Sequence, residues 1–597
     1  MPQRILKTVF GYNQFRLQQE AIIHRLLEGK NAAVIMPTGG GKSICYQIPA
    51  LMRKGTALVV SPLISLMQDQ VDALKQLDIA AEYLNSNLDG AQQYRVIQSF
   101  LGGKLDLLYV APERLMMPEF LDMLTRVEIA LLAIDEAHCI SQWGHDFRPE
   151  YRQLTEVRNR LPHVPCIAAT ATADGPTRRE IVHQLNIEPE GLFVSGFDRP
   201  NIRYSVVPKS NAKQQLIDFI RTQHPDDAGI VYCLSRKKVE DVANWLVDQG
   251  YTAVPYHAGL APEIRQRNQE RFLKEEGLIV VATIAFGMGI DKPNVRFVAH
   301  LDIPKSPESY YQETGRAGRD GLSANAWMTY GLADVVLMQK ILSESEADEA
   351  HKRVEAHKFN ALIGYCESVQ CRRQVLLAYF GDTMEIACGN CDTCLVPVET
   401  FDGTVAAQKV LSCVHRTGQR FGAGHIVDVL LGKMTDKIQS FGHHKLSTFG
   451  IGDEHKMPQW RAIIRQLVTS NFLRVDIEGY GGLQLTTACQ PVLKGERQIH
   501  FRMDPKPERA ARQKTGPART GLQNGETQHL FEALRDLRLQ LARAQGIPPY
   551  IIFHDSTLMA LAQSRPKTIV DFAVIPGVGA VKLKRYGEAF LGVIRGN

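Results

Sequence analysis

Long apolar runs are missing from this 597-residue chain. No stretch reaches eighteen apolar residues, which excludes an ordinary membrane-spanning helix, and the opening Met1-Pro-Gln-Arg4 leads into a helical pattern rather than a signal peptide. Cysteine, eleven in all, is too sparse for a disulfide scaffold, so a reducing cytoplasm is the expected compartment. Charge of one sign is scarce as well. Against 64 Asp and Glu, 69 Lys and Arg leave a net charge of +5, so a polyanionic partner would have to meet a local basic surface. The remaining composition, 44% hydrophobic and 22% charged, is ordinary for a soluble globular chain, and the length predicts about four domains.

Two segments carry chemistry. Asn31 to Met36 is short, apolar and β-rich, a buried strand. It runs into Thr38, Gly39, Gly40 and Gly41, where backbone N–H groups must turn inward without a Cβ in the way, and then into Lys42, Ser43 and a helix over 44–51. A helix N-terminus favours anions, so this is a phosphate loop: Lys42 reaches the β/γ-phosphates and the Ser43 hydroxyl ligates Mg²⁺. Met36 stands where the usual pattern has Gly or Ala, which leaves the physical parts intact. A second buried strand, Ala130 to Ile134, ends in Asp135 and Glu136 at the edge where α/β sheets place their ligands. Asp135 is expected to hold Mg²⁺ through water, and Glu136 to orient or deprotonate the attacking water. Strands and helices alternate over 1–196 and again over 197–335, with Gly229–Cys233 and Gly277–Ala282 the clearest strands of the second lobe. That lobe has no phosphate loop, so it completes a site rather than owning one.

Further segments occur in a fixed order: Phe10-Gly-Tyr12 with Phe15, Arg16 and Gln19; Ser61-Pro-Leu-Ile-Ser-Leu-Met-Gln-Asp-Gln70; Tyr109-Val-Ala-Pro-Glu-Arg114; Ala169-Thr-Ala-Thr172; Val280-Val-Ala-Thr283 through Gly287-Met-Gly289-Ile-Asp291; and Gln312-Glu-Thr-Gly-Arg316-Ala-Gly-Arg319. With these the chain resembles a RecQ-family DNA helicase of superfamily 2, of bacterial type, over nearly its full length. The resemblance implies that Tyr12, Arg16 and Gln19 read adenine, so the fuel is ATP. It implies DNA-backbone contacts at 61–70 and 109–114, ATP–DNA coupling at 169–172 and at Gly289 and Asp291, and arginine fingers at Arg316 and Arg319. It further implies 3′ to 5′ movement on single-stranded DNA and work on branched DNA in recombination, repair, replication and the SOS response, near the nucleoid. A single-strand-binding protein is an implied partner, and a monomer is the expected state. An RNA helicase or remodeller, and a DNA-binding scaffold with a regulatory ATPase, stay open as alternatives.

Ser141 to Tyr151 resembles the family's aromatic-rich loop. Trp143, Phe147 and Tyr151 recur every four residues, with His145 and Arg148 between them, which suits stacking of unpaired bases and equally a small helical core stripe. Cys371, Cys388, Cys391 and Cys394 suit a closed tetrahedral Zn²⁺ site within 336–398, with an iron–sulfur cluster as the rival. Over 399–503 a winged helix is expected. Trp460, Ile463, Ile464, Leu467 and Val468 share one helical face, and Arg461 and Arg465 lie on another, suited to phosphate. Alternation at Leu473, Val475 and Ile477 and at Leu483 and Leu485 predicts a hairpin whose tip carries Tyr480, a base-pair stacker or an ordinary exposed tyrosine. Residues 504–524, rich in Pro, Gly and charge, read as a linker. The stretch 525–597 resembles the family's small C-terminal helical domain, with Tyr550 as a candidate DNA contact and the Pro576–Ala580 turn as either a phosphate-contacting hairpin or simple helix punctuation. The expected architecture is α/β multidomain: two RecA-like parallel-sheet lobes, a zinc-binding helical subdomain, a winged helix and an HRDC-like helical domain.

Overall fold

A computed structural model of the protein describes residues 1–596 apart from 63, 86–87, 142–147, 288–289, 346, 477–481 and 504–524, and the side chains of 64 and 65 are likewise not described. Seven strands build the first lobe: β1 (Ala32–Ile35), β2 (Thr56–Val60), β3 (Ala81–Leu84), β4 (Leu107–Val110), β5 (Ile129–Ile134), β6 (Cys166–Thr170) and β7 (Leu192–Val194). They pair in parallel in the order β3-β4-β2-β5-β6-β1-β7. Helices cover both faces, which is why β1, β2, β4, β5 and β6 are buried at every position and read as unbroken apolar runs. Strand order does the functional work. Because β5, β6 and β1 are neighbours, the segments that leave their C-terminal ends, 135–138, 171–172 and 36–43, lie side by side at one sheet edge.

The second lobe is a parallel sheet of β8 (Ile202–Pro208), β9 (Gly229–Tyr232), β10 (Ala253–Tyr256), β11 (Ile279–Ala282), β12 (Phe297–His300) and β13 (Ala324–Tyr330), in the order β10-β11-β9-β12-β13-β8. The helix Pro307–Thr314 delivers the 315–319 turn toward the first lobe. Helices Glu349–Glu367 and Arg372–Tyr379 follow, sharing the apolar core of the lobes through Leu362, Ile363 and Leu376.

A separate core underlies the winged helix, where helix Met457–Thr469 buries Trp460, Ile463, Ile464, Leu467 and Val468 as its periodicity predicts. The hairpin Leu473–Asp476 and Gly482–Leu485 is antiparallel as expected. The C-terminal helices Gly525–Gln545, Asp555–Ser564 and Ala580–Gly596 close around Leu530, Leu534, Phe572 and Phe590. Among the described residues no helix is long and apolar enough to cross a membrane.

Candidate nucleotide site and metal centre

The phosphate loop folds as its glycines demand. Gly39 and Gly41 have φ of +75° and +79°, and a Cβ on Gly41 would stand 2.5 Å from Gln19 Nε2. That amide is the loop's buttress: Gln19 Nε2 donates to the carbonyls of Gly40 (3.2 Å) and Gly41 (3.0 Å), and its Oε1 accepts from Arg16 N at 2.9 Å. Tyr12 and Arg16 stack at 5.7 Å beside it. Tyr12, Arg16, Gln19, Thr38, Lys42, Ser43, Asp135, Glu136, Asp291 and Arg319 all line one cavity of about 510 Å³, within the range of cofactor sites. Lys42 Nζ donates to the carbonyls of Met36 (3.2 Å) and Pro37 (3.4 Å). Burial pulls its ammonium pKa down, opposed by Glu136 and Asp135.

Burial, reinforced by Glu136, pushes the Asp135 carboxyl up to about 7. Ser43 and Asp135 on one wall are the hard oxygen donors Mg²⁺ prefers, so the residues present fit that ion. Glu136 sits in the left-handed region at φ 49°, an unusual conformation for a side chain at a sheet edge. His138 Nδ1 lies 2.8 Å from Thr170 Oγ1 and 3.3 Å from Glu136 Oε2, and burial lowers its pKa to about 3, so it is neutral. Thr170 in turn accepts from Thr172 N, which joins the carboxylate segment to the 169–172 segment by hydrogen bonds.

The second lobe meets the loop directly. Arg319 lines the cavity and donates to Asp291 Oδ1 at 2.6 Å, while Gln70 of the first lobe donates to Asp291 Oδ2 at 3.2 Å. Arg316 does not line the cavity; it is buried beside Gly287 and Tyr232. Of the two arginines expected as fingers, Arg319 thus faces the cavity and Arg316 points toward Gly287 and Tyr232. Gly289 lies outside the described residues. Sequence reasoning missed Arg199, a buried arginine between the lobes. Its Nη1 donates to Thr38 O (2.7 Å) and Thr38 Oγ1 (3.0 Å). No motif marks it; the only signal was an arginine before a proline at the lobe boundary.

Tyr550 is not on a free surface. It lines the nucleotide cavity with His554 and Lys582, and its buried hydroxyl has no hydrogen-bond partner among the described residues. The C-terminal domain is docked over the cleft. The turn at 576–580 is likewise engaged, with Gly577 N donating to Gly11 O at 2.9 Å. Arg465 is a second correction. It is buried, donates to Glu367 Oε1 at 2.6 Å and lies over the Tyr330 ring at 5.4 Å, so it joins the winged helix to helix Glu349–Glu367 instead of facing phosphate. Arg461 on the same helix is exposed. Arg148 Nη1 donates to Pro62 O at 3.1 Å. Trp143, His145, Phe147 and Tyr480 lie outside the described residues.

The four thiols of Cys371, Cys388, Cys391 and Cys394 lie within 4.8 Å of one another. Their Sγ–Sγ separations of 3.3 Å (391–394), 3.9 Å (388–394) and 3.9 Å (371–391) bracket the spacing of about 3.8 Å that tetrahedral Zn–S bonds of about 2.3 Å require. Thiolate donors of this number and spacing fit zinc. Cys366 is buried in its helix and does not belong to the cluster.

Comparison with known proteins agrees with this geometry. Family models match in chain order: DEAD/DEAH box helicase (residues 16–181), helicase conserved C-terminal domain (211–321), RecQ zinc-binding (332–395), RQC domain (397–510) and HRDC domain (527–594). The chain is 46% identical to the ATP-dependent DNA helicase RecQ of Haemophilus influenzae over 99% of its own length and 95% of that protein's. It is 40% identical to the protein of that name from Bacillus subtilis, covering 99% and 97%. Against the RecQ-like DNA helicase BLM of Xenopus laevis it is 33% identical, covering 99% of this chain and 46% of that protein. With its two parallel-sheet lobes, four-cysteine cluster, winged helix and C-terminal helices in this order, the chain belongs to the RecQ family of ATP-dependent DNA helicases.

Proposed function

We propose that the chain hydrolyses ATP to move 3′ to 5′ along single-stranded DNA and to separate duplex and branched DNA ahead of it. One observation carries this reading: a cavity in which the phosphate loop and Asp135 of one lobe face Arg319 of the other. Lys42 and the loop amides bind the phosphates, and Glu136 orients the attacking water. Ser43 and Asp135 would hold Mg²⁺, whose chemistry there would be to offset the charge of the phosphates. Arg319 exchanges Asp291 for the charge that develops on the phosphoryl group. Because that arginine comes from the second lobe, turnover requires the lobes to be docked, and the return to the diphosphate state lets them part. Separating DNA costs about 1.4 kcal/mol per stacked step, so hydrolysis must reset the grip in each cycle.

The names of the relatives support DNA as the polymer. The residues that contact it are proposed as Arg148 and Arg461, with the aromatic 142–147 segment and the 477–481 tip. The division into 1–196, 197–335, 336–398, 399–503 and 525–597, zinc at the four-cysteine cluster, a cytoplasmic, nucleoid-associated monomer and a single-strand-binding protein partner belong to the same proposal.

The test pairs DNA-stimulated ATPase with unwinding of 3′- and 5′-tailed duplexes of DNA and of RNA. The 3′-tailed DNA duplex alone should open, and Lys42→Ala should lose both activities while still binding DNA. Preferential opening of RNA, or unwinding that survives Lys42→Ala, would overturn the reading.

A further inference from the structure

Arg199 lies in the crossing between the lobes, after β7 and before β8, and is buried, with a relative exposure of 7%. One side of its guanidinium holds the phosphate loop at Thr38, through the carbonyl and the hydroxyl. The other holds the turn that carries the arginines: Nη1 donates to Gly315 O at 3.1 Å, and Nη2 to Ala317 O at 2.8 Å and Gly318 O at 3.1 Å. Thr38 Oγ1 itself donates to Gly315 O at 2.9 Å, so the two loops and the guanidinium share one hydrogen-bonded knot. All five oxygens are neutral. Removing a charged donor from five buried acceptors is costly, and no water-sized group replaces a planar fork that spans two loops.

The crossing is held on its other side as well. Phe197 N donates to Asp382 Oδ2 at 3.0 Å, and Asp198 pairs with Arg373 at 3.2 Å. Arg373 Nη2 also donates to Ile202 O at 3.0 Å. Residues on both sides of Arg199 are thus anchored to the helix 372–379 and the loop behind it, which fixes where its fork can reach.

We infer that Arg199 is a positioning residue of the ATPase, setting the distance between the phosphate loop and Arg319 across the lobe boundary. It touches no reacting atom, and the inference rests on the ATPase reading above. Nucleotide binding depends mainly on Lys42, Ser43 and the Gln19-buttressed loop, all on the first lobe. Arg319 acts on the transition state, where a misplacement of about 1 Å costs roughly a hundredfold in rate. Loss of Arg199 should therefore appear in kcat and not in nucleotide affinity.

The experiment measures steady-state ATPase with and without single-stranded DNA, the Kd of a fluorescent ADP, and the thermal midpoint, for wild type, Arg199→Ala and Arg199→Lys. The expected result for Arg199→Ala is a kcat lower by roughly tenfold to a hundredfold with the ADP Kd changed by less than about threefold. Arg199→Lys keeps the charge but cannot span both loops, so it should recover little of the loss. An unchanged kcat, a parallel collapse of ADP affinity and thermal midpoint, or full recovery by lysine would each overturn the inference. A wild-type protein without ATPase would instead sink the function on which it rests.

Discussion

With Mg²⁺ held as proposed, Asp135 would make its binding depend on pH. Burial comes first and Glu136 second in pushing its carboxyl up to about 7, far above the ordinary carboxylate range. The sign follows from the chemistry. A protonated carboxyl offers Mg²⁺ no anionic oxygen, so below its raised pKa metal binding must expel a proton, and apparent affinity falls as pH falls. Between about pH 8 and pH 6, Mg²⁺-nucleotide affinity should drop by roughly tenfold, with proton release on binding measurable by calorimetry in buffers of different ionisation heat. Asp135→Asn should bind more weakly and lose that dependence; a variant that kept it would place the titration elsewhere. This carboxylate was legible in the sequence because strand, carboxylate pair and phosphate loop are each local signals. Arg465 was misread for the converse reason. Helical spacing gives the face of a residue, but the acid opposite it, Glu367, is 98 positions away and belongs to another helix. Arg199 went unread because its five acceptors come from two loops that only the folded lobes bring together.

Among the elements, the short helix Arg372–Tyr379 carries more than its eight residues would suggest. Its N-cap is Cys371, a member of the thiol cluster. Its first residue, Arg372, is buried and pairs with Asp392 at 2.9 Å, next to Cys391; its second, Arg373, holds the crossing between the lobes. The cluster thus sits at the root of the helix that anchors the lobe boundary. The spacing of the four cysteines was plain in the sequence, as was the helix, but the grip of that helix on residues 198–202 was not. Cys391→Ser exchanges a buried thiolate for a poor zinc ligand. Its zinc content, read by a chromogenic chelator after denaturation, should fall well below the one equivalent expected of the wild type, and the thermal midpoint should fall with it. Structural zinc contributes roughly 10–16 kcal/mol apparent in small isolated domains, and a larger protein will lose part of that. A stable Cys391→Ser protein with full zinc would remove the cluster from the account.

Across the whole molecule, the C-terminal domain straddles the cleft whose movement the ATPase reading requires. On the second lobe, Glu276 accepts from Arg535 at 2.8 Å and from Arg538 at 3.2 Å, and Arg538 is almost fully buried, bonding also to Asp555 at 2.7 Å. On the first lobe, Arg585 pairs with Asp78 on the surface, and the backbone of 577–579 packs so tightly on Gly11 that a Cβ there would stand 2.6 Å from Gly579 N. None of these interdomain contacts was visible in the sequence, since their partners are more than 250 residues apart and no motif pairs them. Local patterns gave the domain's helices, and the folded chain alone gives its seat. The two contacts differ in kind. The exposed Arg585–Asp78 pair is screened by salt and contributes little, whereas removing the Glu276 charge leaves Arg535 without its anion and the buried Arg538 with Asp555 alone, the larger loss of the two. Glu276→Gln should therefore free the domain from the second lobe, and Asp78→Asn should change it only slightly. Because Tyr550, Ile551, His554 and Lys582 wall the nucleotide cavity, release should raise both the hydrogen exchange of residues 549–560 and the dissociation rate of a fluorescent ADP. Faster exchange without faster ADP release would mean that the domain covers the cleft without controlling passage through it, and unchanged exchange would mean that the first-lobe contacts hold the domain in place without Glu276.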